Sequence, residues 1–154
     1  MKLYLVQHGN ALSKEQDPQR PLSKKGIADL NKIANFIRPV SIVVDYLWHS
    51  EKRRAIQTAK ILAGAVKVSK DVKSRDGLSP NDDVNVLEKE LVSIDGDIMV
   101  VGHMPFLGRL ASSLLSGSET TDTVKFQQGG IVCLSYDEES GWQLQWMVVP
   151  EILS

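Results

Sequence analysis

The sequence lacks most of the features that mark secreted proteins and nucleic-acid-binding proteins. It contains a single cysteine, Cys133, which cannot form an internal disulfide and which we expect to be buried and chemically inert. The formal net charge is −1 and aromatic residues make up 6%, whereas nucleic-acid-binding domains carry a concentrated basic face. The basic stretches Lys24-Lys25 and Lys52–Arg54 are too short to form one. These absences exclude a disulfide scaffold and argue against nucleic acid as a partner.

Long hydrophobic runs and low-complexity segments are also absent. The apolar stretch within Lys2–Val6 is only a few residues long, which is too short for a signal peptide or a membrane span. No internal repeat or Pro/Gly-rich linker divides the chain, and 154 residues match one ordinary domain. We therefore predict a single domain over residues 1–154, located in the cytoplasm, with no membrane partner.

The spacing of apolar residues alternates between patterns typical of strands and of helices. Strands are predicted over Lys2–Val6, Ile42–Trp48, Val66–Val68, Asp97–Val101, 130–136 and 142–149, the last two antiparallel around the turn residues Asp137–Gly141. Helices are predicted from a Ser23 cap to Arg38, from Glu51 to Ala65, from Asn81 or Asp82 to Ser93, and from Pro105 to Leu115. This order predicts a three-layer α/β sandwich with a mixed, mostly parallel sheet.

Two packing predictions follow from these periods. The first helix places its apolar residues on one face, namely Ile27, Leu30, Ile33, Ala34 and Ile37. Trp142 and Trp146 have the same parity in the last strand, so we expect them to pack on one face of the sheet rather than form a ligand-stacking platform.

Two of the three histidines follow apolar strands directly and are themselves next to glycine. His8 comes after Lys2–Val6 within Gln7-His8-Gly9, and His103 comes after Asp97–Val101 within Gly102-His103-Met104-Pro105. Ligands of α/β sheets collect outside the carboxyl ends of strands, and a glycine there lets backbone amides approach an anion. A single histidine at a strand end is equally well explained by packing. Two such histidines predict a shared crevice.

A third segment, His49–Ala59, connects these histidines to a known family. Its Arg54-Ala55-Ile56-Gln57-Thr58-Ala59 resembles the R-A-x-Q-T-A motif of the histidine phosphatase superfamily, which aligns Arg54 rather than Arg53 with the phosphate-binding arginine. Three further segments are similar to family motifs: Arg20–Gly26, Gly102–Leu107 and Phe126–Ile131. Because the chain has no large helical insertion, it most resembles the short phosphohistidine phosphatases. The resemblance implies a phosphoglycerate mutase-like fold over nearly the whole chain.

The resemblance also implies roles for individual residues. His8 would be the nucleophile that is transiently phosphorylated, and Arg54 and His103 would hold the phosphoryl group. A neutral imidazole is a competent nucleophile when one ring nitrogen is free and the other is held as N–H. One residue departs from the family, because Gln7 stands where the family has arginine. Its amide offers N–H donors without charge.

Other polar residues are secondary candidates for the site. Gly9 is a candidate for phosphate binding, Arg20 for binding phosphate or anchoring its loop, and His49 for a donor at the rim. No general acid stands out, because the acidic residues Asp76, Asp82 and Asp83 lie beside Gly and Pro in a segment typical of solvated loops. No H-x-H or C-x-x-C pair indicates a metal site, and we expect no cofactor.

The resemblance predicts a phosphatase that acts through a phosphohistidine on His8. Its expected partner is a protein carrying phosphohistidine, with inorganic phosphate as the product. Two alternatives stay open from the residues alone. One is a phosphate-binding or phosphohistidine-binding module that turns over poorly because Gln7 replaces arginine, and the other is a phosphatase for a small phosphate ester.

Overall fold

The computed structural model describes all residues from 1 to 154. Six strands and four helices alternate along most of the chain: β1 (Lys2–Gln7), α1 (Lys24–Ile37), β2 (Val43–His49), α2 (Arg53–Ala63), β3 (Lys67–Ser74), α3 (Val84–Ser93), β4 (Ile98–Gly102), α4 (Phe106–Ser116), β5 (Ile131–Asp137) and β6 (Gly141–Val148). Short 3₁₀ turns follow α1 and β6. None of the helices combines the length and apolar character needed to cross a membrane.

The strands form one mixed sheet in the order β3-β2-β4-β1-β5-β6. The first four are parallel neighbours, while β5 and β6 form an antiparallel extension beside β1. Apolar residues of α1 and α2 pack on one face of the sheet, and those of α3 and α4 pack on the other. The predicted three-layer α/β architecture is thereby confirmed. It brings the carboxyl ends of β1, β2 and β4 to a common edge, because parallel strands end on the same side.

Local sequence explains where two helices begin. The Ser23 side chain caps α1 by accepting a hydrogen bond from the Gly26 amide, as its position predicts. The third helix begins slightly later than predicted, because Asp83 is its cap and accepts from the Asn85 amide. Asp82 instead accepts from the Ser79 amide and closes the preceding turn.

The predicted apolar face of α1 is correct except at its start. Ile27 is 42% exposed, while Gly26 is buried in its place. A Cβ atom on Gly26 would lie only 2.1 Å from the carbonyl oxygen of Asn10. The loop that follows β1 therefore crosses the first turn of α1 in contact with its backbone. This close approach replaces the side-chain contact that the helical period predicts for Ile27.

The strand predicted near Val66–Val68 is longer than expected. It is the edge strand β3, which pairs only with β2 and has mostly exposed residues. Lysines recur along it at Lys67, Lys70 and Lys73, and charged side chains on an edge strand hinder pairing with other chains. The weak apolar pattern of an exposed edge explains why the sequence predicts only its beginning.

The prediction that Trp142 and Trp146 share a face is wrong. Trp142 packs with the core beneath α3 and α4, whereas Trp146 packs with the core beneath α1 and α2. In the pairing of β5 with β6, Cys133 lies opposite Trp146 but the next residue, Leu134, lies opposite Leu144. A β-bulge at Gln145 therefore inverts the alternation of faces between the two tryptophans.

The single cysteine is buried, as predicted. Cys133 lies on β5 opposite Tyr4 of β1 and is fully inaccessible to solvent. Burial raises the pKa of the Cys133 thiol to about 11, so the thiolate is disfavoured near neutral pH. The residue therefore acts as a small apolar side chain in the core.

Candidate active site

The His8 imidazole lies at the carboxyl end of β1, and its surroundings determine which nitrogen carries the proton. Its Nδ1 is 2.7 Å from the Gly9 carbonyl oxygen, and its Nε2 is 3.3 Å from Nε of Arg54. A carbonyl oxygen can only accept and a guanidinium nitrogen can only donate. His8 is therefore held as the Nδ1–H tautomer, with the lone pair of Nε2 directed toward Arg54.

His103 lies beside His8, so the two histidines predicted to share a crevice do lie together. The centroids of the two rings are 5.0 Å apart, with the rings tilted by 55°. His103 is only 1% exposed, and its Nε2 is 2.6 Å from Oγ of Ser50. Its Nδ1 is buried and has no hydrogen-bond partner in the protein. Buried polar atoms are rarely unpaired, and an unpaired one beside a reactive imidazole is expected where a ligand binds.

Both imidazoles are neutral in the unliganded protein near pH 7. The pKa of His8 is lowered to about 4, chiefly by burial and also by the charges of Arg54 and Arg20, while the hydrogen bond to the Gly9 carbonyl opposes this shift. Burial is also the main cause that lowers the pKa of His103 to about 3, followed by the neighbouring His8 and Arg54. Positive charge at the unliganded site therefore comes from the arginines and not from His103.

The first two turns of α2 connect the motifs that the sequence analysis singled out. Arg54 is half-buried and faces His8, whereas Arg53 is exposed. Oγ1 of Thr58 accepts a hydrogen bond from the Gly9 amide at 3.0 Å and donates to the Arg54 carbonyl at 2.8 Å. The Gln57 side chain accepts from the Leu22 amide at 2.7 Å. Gln57 and Thr58 therefore hold the segments around Arg20 and His8 against the helix that carries Arg54.

The Gly9 amide has a partner inside the unliganded protein, because it donates to Thr58. The glycine is also needed for packing, since a Cβ atom there would lie 2.8 Å from Cδ1 of Leu30 and 3.2 Å from Cδ2 of Leu22. A role of Gly9 in phosphate binding stays a prediction. Thr58 was not among the predicted site residues, although the Q-T-A part of the motif contains it.

Arg20 lies close enough to act on the site and also anchors its own loop. Its Nε donates to the Leu12 carbonyl at 3.1 Å, and its backbone adopts a left-handed conformation with φ of 49°. Its charge lowers the pKa of both His8 and His103. Of the two expected roles, the anchoring of the loop is visible as the hydrogen bond to Leu12. The role in phosphate binding stays a prediction, which the positive charge of Arg20 near the two histidines favours.

Gln7 and His49 lie at the same edge without joining the cluster of His8, His103 and Arg54. The Gln7 side-chain oxygen is buried and has no hydrogen-bond partner. The Gln7 carbonyl accepts from the Gly129 amide, which attaches the segment Phe126–Ile131 to β1. His49 ends β2, and its Nδ1 lies 3.0 Å from the Ser50 carbonyl oxygen. That contact orients His49 locally, and no hydrogen bond or ring contact joins it to the other two histidines.

The acidic residues of the segment 75–83 do not reach the cluster. Asp82 and Asp83 bind backbone amides of their own turn and helix, and Asp76 is exposed. Together with Glu51 and Arg75 they line a separate concavity of about 430 Å³. The cluster of His8, His103 and Arg54 therefore contains imidazoles and a guanidinium but no carboxylate.

Comparison with known proteins identifies the family. Residues 3–79, half of the chain, match the model of the histidine phosphatase superfamily, branch 1. The protein belongs to the histidine phosphatase superfamily. Among its relatives, phosphohistidine phosphatase SixA of Escherichia coli (strain K12) is 24% identical over an alignment of 155 positions that covers 97% of this chain and 94% of that protein.

Solved structures show the same fold at low sequence identity. The protein histidine phosphatase SixA complexed with tungstate is similar with a TM-score of 0.84 at 22% identity, and the match covers 99% of both chains. A putative alpha-ribazole-5'-P phosphatase from Escherichia coli has a TM-score of 0.77 at 17% identity, over 97% of this chain and 98% of that one. A phosphoserine phosphatase from Entamoeba histolytica in complex with 3-phosphoglyceric acid has a TM-score of 0.71 at 18% identity, over 95% of both chains.

Proposed function

We propose that this protein is a phosphatase that moves a phosphoryl group first to Nε2 of His8 and then to water. The observation that carries the proposal is the fixed state of His8, which is neutral, protonated on Nδ1 and has an Nε2 lone pair whose only partner is the guanidinium of Arg54. This is the state that a histidine nucleophile requires.

In the first step the Nε2 lone pair attacks phosphorus, so an N–P bond forms while the bond to the leaving group breaks. Phosphoryl transfer needs donors around the equatorial oxygens of the phosphoryl group. We assign Arg54 and His103 to this task, because both lie against His8 and no carboxylate forms an ion pair with the Arg54 guanidinium. The leaving group takes a proton from solvent as it departs. In the second step a water oxygen attacks phosphorus while the N–P bond breaks, which releases inorganic phosphate, returns one proton to solvent and restores neutral His8.

For the substrate we propose phosphohistidine carried by a protein. An imidazole leaving group needs less help from an acid than an alkoxide does, which suits a cluster without a carboxylate. The similarity to a protein named as a phosphohistidine phosphatase supports the same class. The cytoplasmic location and the single-domain organisation stay predictions.

The test is to trap the intermediate. The protein is incubated briefly with ³²P-labelled phosphoramidate, quenched in base, and digested to locate any acid-labile phosphate. We expect transient label on His8 in the wild type and none in His8→Ala or His8→Asn. His49→Ala is the matched control, because it removes a histidine at the same sheet edge that forms no hydrogen bond or ring pair with His8. Full turnover in His8→Ala would exclude the covalent route.

A substrate panel then separates the alternatives. Equal amounts of a phosphohistidine peptide, a phosphoserine peptide and small phosphate esters are compared by kcat/KM. Preference for the phosphohistidine peptide supports the proposal, whereas preference for an ester assigns the small-molecule alternative. Binding of phosphohistidine peptide without label on His8 or release of phosphate would assign a binding module.

A further inference from the structure

Ser50 is buried beside His103, and its backbone holds it firmly in place. Both residues are 1% exposed. The Ser50 amide donates to the Val101 carbonyl at 3.2 Å, which fixes Ser50 to the end of β4. Its Oγ lies 2.6 Å from Nε2 of His103 and accepts from the Lys52 amide at 3.3 Å. The hydroxyl therefore connects the end of β2, the start of α2 and the second histidine.

The direction of the Ser50–His103 hydrogen bond follows from counting partners. A hydroxyl has one proton and two lone pairs, and one lone pair of Ser50 already accepts from Lys52. If Ser50 also accepted from His103, its own proton would have no acceptor, and Nδ1 of His103 would be a second buried atom without a partner. If Ser50 donates, only the Nδ1–H group of His103 is left unpaired. The second arrangement leaves fewer buried polar groups unsatisfied and is the more stable one.

We propose that Ser50 is a positioning residue: it donates to Nε2 of His103 and thereby holds the proton of this imidazole on Nδ1. The inference rests on the proposed function for its catalytic consequence. Phosphoryl oxygens are acceptors, so Nδ1 of His103 can bind one only if it carries a proton. A lone pair at Nδ1 would instead repel the same oxygen. The Ser50 hydroxyl thus decides whether neutral His103 attracts or repels the phosphoryl group.

The proposal is tested on the unliganded protein by ¹⁵N NMR of labelled histidines near pH 7, with His103→Gln used to assign the His103 ring. We expect wild-type His103 to carry its proton on Nδ1. Ser50→Thr keeps the hydroxyl and should keep that tautomer, whereas Ser50→Ala should move the proton partly or wholly to Nε2. Ser112→Ala, which removes a different buried serine hydroxyl, should change nothing. A proton on Nε2 of His103 in the wild type would overturn the proposal without any variant being needed.

Ligand binding and turnover give a second readout. In Ser50→Ala we expect the affinity for inorganic phosphate and kcat to fall about tenfold or more, the size of effect seen when partners that orient an imidazole are removed. Ser50→Thr should restore both to within about threefold. Wild-type values in Ser50→Ala, despite a shifted proton, would also overturn the proposal. A protein with the expected tautomer and phosphate binding but no turnover would contradict the proposed function and leave the role of Ser50 supported.

Discussion

Nε of Arg54 lies 3.3 Å from Nε2 of His8, so the arginine donates to the same lone pair that we assign to nucleophilic attack. In the unliganded site, the lone pair of the nucleophilic nitrogen is therefore engaged in a hydrogen bond with Arg54. A phosphoryl oxygen is a stronger acceptor for a guanidinium than a neutral imidazole is, because the hydrogen bond is then between opposite charges. Substrate binding is expected to draw Arg54 onto the phosphoryl group and to release the lone pair of His8.

Arg54 should therefore matter for turnover, while its exposed neighbour should not. A charge-assisted hydrogen bond contributes about 1.5–3 kcal/mol. We expect Arg54→Gln to lower kcat/KM roughly 10- to 100-fold. Arg53→Gln removes the same charge one residue earlier on an exposed side chain and should stay within about twofold. Equal losses in the two variants would mean that general positive charge, and not a directed contact, is responsible.

The pH dependence of turnover should reflect the lowered pKa of His8. Since attack needs the neutral ring, kcat/KM should fall with acid along a limb centred at about 4. At pH 5.5 nearly all His8 would still be neutral, whereas a histidine of ordinary pKa would retain only about a tenth of the neutral form. In Arg20→Gln the acid fall in kcat/KM should begin at a higher pH, because the Arg20 charge lowers the pKa of His8. A limb near 6.5 in the wild type would contradict the assignment.

The same shift predicts how acid affects folding. His8 has a lower pKa in the folded protein than the reference value of 6.5, so the unfolded chain binds more protons between the two values. The contribution of His8 to the free energy of unfolding is therefore full above about pH 6.5 and is lost as the pH falls toward about 4. Between pH 7 and pH 5 the loss is on the order of 2 kcal/mol. The free energy of unfolding is measured with urea at pH 7 and pH 5 for the wild type and for His8→Gln. The decrease between the two pH values should be smaller in the variant, and equal decreases would refute the prediction.

Gln7→Arg tests the departure from the family pattern. The Gln7 side-chain oxygen is buried without a donor, so replacing the amide removes an unsatisfied acceptor and adds a charged donor. If the added interaction forms in the transition state, kcat should rise roughly 10- to 100-fold. Gln7→Met, of similar size but without polar donors, should not raise it. Tighter phosphate binding with unchanged kcat would favour the binding module, since uniform binding does not accelerate chemistry.

Reduced phosphate affinity together with reduced kcat in Gln7→Arg would mean that another group already occupies the position. Arg20 is the first candidate, because its charge already acts on both histidines. The double variant Gln7→Arg with Arg20→Gln would then recover activity relative to Gln7→Arg alone.

Gly26→Ala should destabilise the protein through the backbone contact between α1 and the loop after β1. The added Cβ would lie 2.1 Å from the Asn10 carbonyl oxygen, which cannot move without shifting the chain beside His8. We expect a loss of about 1–3 kcal/mol in free energy of unfolding. Gly108→Ala is the matched control within α4, where the new Cβ meets only the flexible end of Met104. Its effect should be neutral or stabilising, because alanine favours helices over glycine. If Gly26→Ala and Gly108→Ala changed the free energy of unfolding equally, the backbone at Asn10 would have to move to accommodate the new Cβ atom without cost.

Local features were predictable from the sequence because they depend on neighbouring residues. The strand that ends just before His8 and the Ser23 cap follow from apolar period and cap chemistry. The motif spacing predicts the helix that carries Arg54, which begins at Arg53, two residues later than predicted. The meeting of His8 with His103 was also predictable, since parallel strands of one sheet end at a common edge.

Only the tertiary structure decided how those residues are used. The Gly9 amide donates a hydrogen bond to Thr58, and the position of the proton on His8 depends on Arg54. Ser50 forms a hydrogen bond with His103, which lies 53 positions further along the chain. The bulge at Gln145 separates Trp142 from Trp146, although their parity is the same. Hydrogen-bond direction and strand register depend on which distant groups come within about 3 Å of one another, and a sequence period carries no information on that scale.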